Sequence, residues 1–204
     1  MPGRNIYKIY LENSYYHIFN RGHNKADIFK DSNDYAVFLN LLKRCLGDEV
    51  QKDGQGREYP NFYRKMELLA FCLMPNHFHL FIHQVNAHMI TDLLKSLSIP
   101  YSMYFNKKYQ RIGPVFQTRY KATLIDNNRY FQHVSRYIHL NPPDYQRWEF
   151  SSLAYYMGLK TASWVKPERI VELFNSRAEY LKFLDDYKDH KAMLDELKTE
   201  LANY

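Results

Sequence analysis

Two consecutive stretches in the middle of the chain constrain the fold most, because together they predict a pair of neighbouring strands. Glu67 to Met74 is a nearly continuous apolar run, which is typical of a central strand buried on both faces. Pro75-Asn76 supplies the turn. His77 to Gln84 then alternates, so its odd-numbered residues point to one face of the sheet and its even-numbered residues to the other.

Helix and strand patterns on both sides of this pair predict the remaining elements of the core. They are a strand at Tyr15–Phe19, a helix at about 34–46 capped by Asp31-Ser32-Asn33-Asp34, a helix at about His88–Asn106, a strand at Val115–Ile125 and a helix at about Asn127–Asn141. Pro100 predicts a kink or break in the second helix. The order predicts an α+β fold, with a ferredoxin-like split βαβ core, an antiparallel sheet and one extra helix.

We expect the core domain to span residues 1–147 and a C-terminal helical extension packed on it to span residues 148–204. Apolar residues recur at roughly helical spacing between Asn175 and Tyr204, among mixed charges. One or two helices that pack on the core, or on a second copy of the chain, would both account for this pattern.

Cysteine content and hydropathy indicate a cytoplasmic protein. The two cysteines, Cys45 and Cys72, do not make a disulfide framework, which fits a reducing compartment. The first ten residues lack the apolar stretch of a signal peptide. The longest apolar run, Leu68 to Met74, is too short to cross a membrane.

A histidine pair on the second strand is a candidate metal site. His77 and His79 are two residues apart and point to the same face, about 7 Å apart by strand rise. Both imidazoles could therefore close on one divalent ion. The alternative is a buried pair whose nitrogens find other partners.

A tyrosine near the end of the last core helix is the second candidate site. His133, Tyr137 and Asn141 recur every fourth residue and share one helical face. Asp126, Asn127 and Asn128 could cap the start of this helix, and Pro142 blocks its continuation. The alternative for Tyr137, in a chain with 19 tyrosines, is a buried core residue with its hydroxyl satisfied.

Basic and aromatic residues alternate in the segment from Lys95 to Lys121, which has no acidic residue although the whole chain has a net charge of only +6. Cations that meet phosphates beside rings that stack on bases are typical of a surface for single-stranded nucleic acid. A solvated face over core aromatics is the other interpretation. The candidate DNA-binding residues are Arg21, at the end of the first predicted strand, and the cations of this segment: Lys95, Lys107, Lys108, Arg111, Arg119 and Lys121.

Five ordered blocks of sequence resemble the REP-associated tyrosine transposases of the single-tyrosine HUH superfamily (transposase IS200-like). The blocks are Tyr16-His17-Ile18-Phe19-Asn20-Arg21-Gly22, Met74-Pro75-Asn76-His77-Phe78-His79-Leu80, Tyr104-Phe105-Asn106, Gly113-Pro114-Val115-Phe116-Gln117-Thr118-Arg119-Tyr120-Lys121 and Arg136-Tyr137-Ile138-His139-Leu140-Asn141-Pro142. They span about residues 15–143. The chain departs from the family's pattern at Pro143-Asp144, where an acid replaces a basic residue.

The resemblance implies a metal-dependent endonuclease and strand transferase for single-stranded DNA. His77 and His79 match the metal-binding histidines, Tyr137 matches the nucleophile, and Asn141 occupies the position of the third metal ligand. Arg136, beside the tyrosine, joins the candidate DNA-binding residues. The implied cofactor is Mg²⁺ or Mn²⁺, and the implied partner is hairpin DNA of the REP type. Attack of Tyr137 would give a 5′-phosphotyrosine and a free 3′-hydroxyl. A monomer is favoured over a homodimer, because the C-terminal residues could cover the dimer surface.

Other functions on the same core stay open. A binding module could use the aromatic and basic residues alone, as RNA-binding sheets do, and would not need His77, His79 and Tyr137 together. A replication initiator or relaxase shares the metal–tyrosine chemistry but usually has a larger chain. A domesticated, inactive relative is the remaining alternative.

Overall fold

The computed structural model describes residues 10–125 and 128–186, and in these ranges a four-stranded antiparallel sheet forms the centre of the molecule. The strands are β1 (Ser14–Arg21), β2 (Met66–Met74), β3 (His77–Gln84) and β4 (Lys121–Ile125), in the spatial order β2-β3-β1-β4. This is the order of a split βαβ sheet, so the ferredoxin-like α+β prediction is confirmed.

Helices cover both faces of the sheet. They are α1 (Ser32–Leu46), α2 (Met89–Lys108), α3 (Asn128–His139), α4 (Leu153–Tyr156), α5 (Glu168–Val171) and α6 (Arg177–Asp185). Helices α1 and α2 contribute to one apolar core with the even-numbered residues of β3, whereas α3 to α6 form a second core that includes Phe81. The alternation predicted for β3 therefore separates two cores.

The first helix begins at Ser32, two residues before the predicted start and directly after Asp31, the first residue of the predicted cap. The Asp31 side chain accepts a hydrogen bond from the Asp34 backbone N–H at 3.1 Å, and Tyr35, Phe38 and Leu42 turn inward. The Asp34 carboxylate is fully buried and binds Lys108 at 2.8 Å, which ties the start of α1 to the end of α2.

The break predicted as one of two outcomes at Pro100 does not occur, because α2 runs continuously from Met89 to Lys108. Leu97, Tyr101 and Phe105 on either side of the proline are fully buried, and the Tyr101 hydroxyl donates to the Ile28 carbonyl. Tertiary packing of this face offsets the lost backbone hydrogen bond.

The predicted strand at Val115–Ile125 forms only over its last five residues. Before Lys121, single contacts replace a regular ladder: Phe116 bridges Gly22, the Gln117 N–H donates to the Arg21 carbonyl at 2.8 Å, and Asn20 Nδ2 donates to the Thr118 carbonyl at 3.2 Å. The Asn20 side chain thus gives the Thr118 carbonyl a hydrogen bond of the kind that a backbone N–H would donate in a continuous strand.

The C-terminal part contacts the outer edge of β2. The Leu73 N–H donates to the Phe150 carbonyl and the Ser152 N–H donates to the Phe71 carbonyl, both at 2.9 Å. Trp148 Nε1 adds a bond to the Leu73 carbonyl at 3.0 Å. These bonds cover an edge that would otherwise expose unpaired backbone groups. A domain boundary at residue 147 stays a prediction, and the expected helical residues 187–204 lie outside the described chain.

Neither cysteine is paired, since Cys45 and Cys72 are both buried and free. Within the residues that the structure describes, no helix combines the length and hydrophobicity needed to cross a membrane.

Candidate active site

The register of β1 and β3 places their odd-numbered side chains on one face of the sheet. Helices α1 and α2 pack on the other face. Phe19 lies across from His79 and Arg21 lies across from His77. The predicted histidine pair therefore lies at the start of β3, an inner strand of the sheet, on the face towards α3. The His77 and His79 rings lie 5.0 Å apart between centroids and are nearly perpendicular, at 87°.

The helix that carries Tyr137 is shorter than predicted, because α3 ends at His139 and Asn141 follows its last turn. The Leu140 N–H still donates to the Arg136 carbonyl at 2.9 Å, so the chain keeps its direction up to Asn141. The predicted cap residues Asp126 and Asn127 lie outside the described residues. His133 packs against Phe183, with 5.3 Å between ring centroids.

Tyr137 packs against two histidines, His79 and His17 of β1, with its ring nearly perpendicular to both imidazole rings. Its ring centroid is 5.3 Å from that of His79 and 5.7 Å from that of His17. Burial raises the pKa of Tyr137 above the usual value, whereas the hydrogen bond with Asn141 acts in the opposite direction. The phenol is therefore neutral at pH 7, and the site must assist loss of its proton when the oxygen attacks.

His77 is held between two asparagine side chains. Its Nδ1 lies 2.6 Å from Asn76 Oδ1, and its Nε2 lies 3.0 Å from Asn141 Oδ1. Burial lowers the pKa of His77, which favours a neutral ring with a single N–H. If that hydrogen is on Nδ1 and bonds Asn76, two lone pairs face each other at Nε2 and Asn141 Oδ1.

A divalent cation fits this contact. Two adjacent ligands at right angles, each about 2.1 Å from an octahedrally coordinated ion, lie about 3 Å apart. His77 Nε2 and Asn141 Oδ1 have this separation. In the metal-free chain the Asn141 amide can instead turn so that Nδ2 donates to the imidazole. His77, His79 and Asn141 thus offer a divalent cation a mixed donor set of two imidazole nitrogens and one amide oxygen.

A metal site with three protein ligands requires Asn141 in addition to His77 and His79. Within residues 10–125 and 128–186, no three histidine, cysteine, aspartate or glutamate side chains gather as a cluster that could hold a metal ion. The two histidines alone leave most of a divalent ion's coordination shell to water and substrate oxygens. An open shell of this kind is common where a metal binds phosphate.

His17 is a residue of the site that the sequence analysis missed. It is 1% exposed, its ring stacks on that of His79 with centroids 5.0 Å apart, and its Nε2 lies 2.9 Å from Nδ1 of His79. Burial lowers the pKa of His17 to about 3, so the ring is neutral. The alternation of β1 would place His17 on one face, but the register with β3 was needed to place it beside His79.

A buried hydrogen-bond network anchors α3 behind Tyr137. His139 Nδ1 lies 2.7 Å from the Tyr180 hydroxyl, and its Nε2 lies 2.6 Å from Ser152 Oγ. Ser152 Oγ in turn accepts from the Phe71 N–H of β2 at 2.9 Å. His139, which the sequence left unassigned, therefore joins α3 to both β2 and α6.

Arg136 does not lie on the surface, which corrects its prediction as a DNA-binding residue. Its side chain is 1% exposed, and the guanidinium carbon lies 3.4 Å from the centroid of the Phe183 ring. Arg136 and Tyr137 are adjacent in the helix and therefore point about 100° apart, so only one of them can face the histidines.

The other predicted DNA-binding residues lie in three places. Arg21 and Lys121 border the active-site face: Arg21 is opposite His77, and Lys121 is opposite Phe19, with Nζ 5.7 Å from the Phe19 ring centroid. Lys95 and Arg119 line one cleft of about 550 Å³ between α2 and the segment before β4, and Phe116 and Tyr120 also line it.

The third group lies at the end of α2, and it is partly engaged in internal contacts. Lys108 binds the carboxylates of Asp31 and Asp34 at 2.7 and 2.8 Å. Arg111 stacks on the Phe105 ring at 5.4 Å, and Lys107 is exposed. Lys108 therefore acts first as a structural cation that joins α1 and α2.

Comparison with known proteins points to one family. Residues 62–141 match the family model Transposase IS200 like. A solved structure of a REP-associated tyrosine transposase bound to a REP hairpin is 15% identical, with a TM-score of 0.53, over 78% of this chain and 90% of that one. A putative transposase from Deinococcus radiodurans R1 is 16% identical, with a TM-score of 0.39, over 65% of this chain and 92% of that one. No curated protein sequence matches the chain.

The matched segment contains His77, His79, Tyr137 and Asn141, and the likeness to the first structure, over 78% of this chain, is a likeness of fold. Residues 62–141 are therefore similar to the transposase IS200 like family, and the chain has the α+β fold of a REP-associated tyrosine transposase.

Proposed function

We propose that the protein is a single-stranded DNA endonuclease and strand transferase in which Tyr137 is the nucleophile. The observation that supports this most strongly is the position of Tyr137, with its ring 5.3 Å from that of His79 and a hydrogen bond to Asn141, the residue that also contacts His77. A core tyrosine would not need two histidines and an amide converging beside it.

The reaction exchanges one phosphodiester bond for another. The Tyr137 oxygen attacks the phosphorus, the bond from phosphorus to the 3′ oxygen breaks, and the products are a 5′-phosphotyrosine and a free 3′-hydroxyl. The phenol proton leaves as the new bond forms, and the departing 3′ oxygen gains one. Attack by another 3′-hydroxyl reverses the step and joins two strands, so no external energy source is needed.

His77, His79 and Asn141 would hold the divalent cation, Mg²⁺ or Mn²⁺. When bound there, it would neutralise charge on the scissile phosphate and lower the cost of forming the phenolate. The Asn141 amide contacts both Tyr137 and His77, so it orients the nucleophile relative to the phosphate. The buried network at His139 keeps α3 in place during attack.

Basic residues that are exposed or half-buried supply a path for the DNA strand. Arg21 and Lys121 border the site, and Lys95 and Arg119 line the neighbouring cleft together with two aromatic rings. A single strand that passes from the cleft to Tyr137 would meet cations at its phosphates and rings at its bases. The solved relative is bound to a REP hairpin, and we propose hairpin DNA as the substrate here as well.

The protein is proposed to act as a monomer in the cytoplasm. The segment from Trp148 to Ser152 covers the outer edge of β2, which removes that edge as a surface for pairing with a second copy.

A covalent-adduct assay tests the nuclease. Wild-type protein is incubated with labelled single-stranded hairpin DNA and Mn²⁺, denatured, and separated by size. We expect a metal-dependent protein–DNA band that Tyr137→Phe abolishes, because phenylalanine keeps the packing and removes only the nucleophilic oxygen. DNA affinity measured without metal should stay within about threefold, since the hydroxyl is not needed for contacts to the phosphates.

Tyr15→Phe is the matched control, because Tyr15 is a half-buried tyrosine on the same face of the sheet, against Phe131, and far from the metal ligands. It should form adducts like the wild type. An adduct formed by Tyr137→Phe would rule out the assigned nucleophile. DNA binding by the wild type without any adduct would favour the alternative function, a binding module on the same fold.

A further inference from the structure

The turn between α2 and β4, residues 109–115, carries the most exposed large apolar side chain among the described residues. Ile112 is 100% exposed, whereas Val115 at the end of the turn is buried. A single exposed aliphatic side chain is ordinary on a protein surface. Ile112 differs from the ordinary case because the backbone on both sides of it is fixed and its surroundings are basic.

Asn106 holds the two neighbours of Ile112 in place. Its backbone carbonyl accepts from the Arg111 N–H at 2.9 Å, and its side-chain Nδ2 donates to the Gly113 carbonyl at 2.9 Å. Gly113 has a φ of 97°, a left-handed conformation that glycine adopts without steric cost. The Ile112 side chain therefore projects from a turn whose shape is already set, so little conformational entropy is lost when it packs against a ligand.

The turn is attached to the end of the sheet where the candidate active site lies. The His23 N–H donates to the Val115 carbonyl at 2.9 Å, and the Gly22 N–H donates to the Asn76 carbonyl at 2.8 Å. Asn76 comes directly before the first proposed metal ligand in the chain. Because Ile112 is three residues from Val115, it lies within about 11 Å of this attachment. A ligand at the turn can therefore extend to the active site.

The surroundings of the turn are positively charged. Lys30 Nζ lies 4.4 Å from the centroid of the Tyr109 ring, and the Arg111 guanidinium carbon lies 5.4 Å from that of Phe105. The two carboxylates at this end of α2 both bind Lys108, and no aspartate or glutamate occurs from residue 93 to residue 125. An apolar tip within a basic surface fits a polyanion that presents an apolar face.

We propose that this turn docks the end of a hairpin stem, with the Ile112 side chain packed against the last base pair. The apolar faces of paired bases are exposed where stacking ends, which is the junction of the stem and the single strand. Aliphatic side chains that contact DNA replace stacking at a base step, whereas unpaired bases are bound mainly by aromatic rings. From this junction the single strand continues to Tyr137. The inference rests on the proposed function, because it takes hairpin DNA as the substrate.

Removal of the isoleucine side chain tests the contact with the stem. Ile112→Ala should weaken metal-free binding of a REP hairpin that has a single-stranded tail by about tenfold, because the last base pair loses its apolar cover. Binding of the tail alone should change by less than about twofold, since the cleft at Lys95 and Arg119 is distant from the substitution. Fluorescence anisotropy measures both affinities. The melting temperature should stay unchanged, because the side chain is fully exposed.

Leu159→Ala is the matched control. Leu159 is 80% exposed and follows a glycine of positive φ, Gly158, in the C-terminal part of the chain. This variant should bind the hairpin and the tail like the wild type.

A fluorescent base reports the contact directly. With 2-aminopurine in the last base pair, fluorescence should change when the wild type binds and should not change when Ile112→Ala binds at saturation. With 2-aminopurine in the middle of the stem, neither protein should change the fluorescence. A change in the last base pair that persists in Ile112→Ala would contradict the contact.

The outcomes separate this inference from the proposed function. Equal hairpin affinity in the wild type and Ile112→Ala, with the Tyr137 adduct still formed by the wild type, would overturn the role of Ile112 and leave the nuclease intact. An equal loss of affinity for the hairpin and the tail would also overturn it, because the contact would then be to the single strand. A loss confined to the hairpin, in a wild type that forms no adduct, would support the docking surface and contradict the nuclease. No hairpin binding by the wild type would overturn both.

Discussion

At the scale of single residues, the site depends on side chains whose partners lie far away in the sequence. Asn141 contacts His77, 64 positions away, and His17 contacts His79, 62 positions away. Each partner contacts one ring nitrogen of its histidine: Asn141 places an oxygen beside Nε2 of His77, and His17 contacts Nδ1 of His79. The histidine motif by itself therefore specifies two of the three proposed ligands.

None of the three proposed ligands carries a formal charge, and Asn141 is the one that a carboxylate of nearly the same shape can replace. Replacing it by a carboxylate in Asn141→Asp should tighten Mn²⁺ binding by about tenfold, since affinity rises with the charge of the ligands. Asn141→Ala should weaken binding by at least a similar factor. Calorimetry of the three proteins measures both effects. Equal affinities in all three would show that Asn141 does not ligate the cation.

At the scale of elements, two buried polar networks determine how helices meet the sheet. The network at His139 joins α3 to β2 and α6. The second network joins α1 to α2, where the buried carboxylate of Asp34 accepts from the Lys30 N–H, Lys108 and the Tyr104 and Tyr109 hydroxyls. Because these donors surround one carboxylate, its charge state affects the packing of both helices.

The network at Asp34 gives a stability that depends on pH. Burial opposes ionisation, but Lys108 and the other donors outweigh it, and the pKa of Asp34 lies below its usual value. A carboxyl with a lower pKa in the folded chain stabilises fully above its unfolded pKa of about 3.9, and this stability is lost as pH falls through the folded value.

Asp34→Asn should therefore lower the free energy of unfolding at pH 7 by about 1.5–3 kcal/mol, the range for a hydrogen bond to a charged group. The difference from the wild type should shrink as pH falls from about 4 towards 2. Urea unfolding across this pH range measures it. Asp92→Asn, which removes an exposed pair with Lys95, should change stability by less than about 0.5 kcal/mol at every pH. A difference for Asp34→Asn that does not vary with pH would contradict the linkage.

At the scale of the whole molecule, the sheet has two different faces. One carries the candidate active site, and α1 and α2 cover the other. The proposed ligands and Tyr137 lie on the first, whereas Lys95 and Arg119 line a cleft beside α2. Since Arg119 lies only two residues before β4, a strand of DNA could pass around this end of the sheet to reach Tyr137. The proposed path thus uses both faces.

The cleft should contribute phosphate contacts that salt weakens. Each contact to single-stranded DNA adds about 0.7 to the slope of log K against log salt concentration. Lys95→Met with Arg119→Met should therefore reduce that slope by about 1.4. Fluorescence anisotropy with a labelled single strand at several salt concentrations measures the slope. Arg136→Met, which replaces a buried cation, should leave it unchanged; a reduced slope there would return Arg136 to the DNA surface.

The sequence by itself determined the order of the strands and helices and the faces of β3, because these follow from local periodicity and turn residues. It also singled out His77, His79 and Tyr137, through short motifs whose spacing is local. Only the tertiary structure decided that α2 continues through Pro100, that Arg136 turns inward onto Phe183, and that His17 meets His79. These outcomes depend on packing and strand register, which arise from contacts between residues far apart in the chain. Local sequence patterns do not predict such contacts.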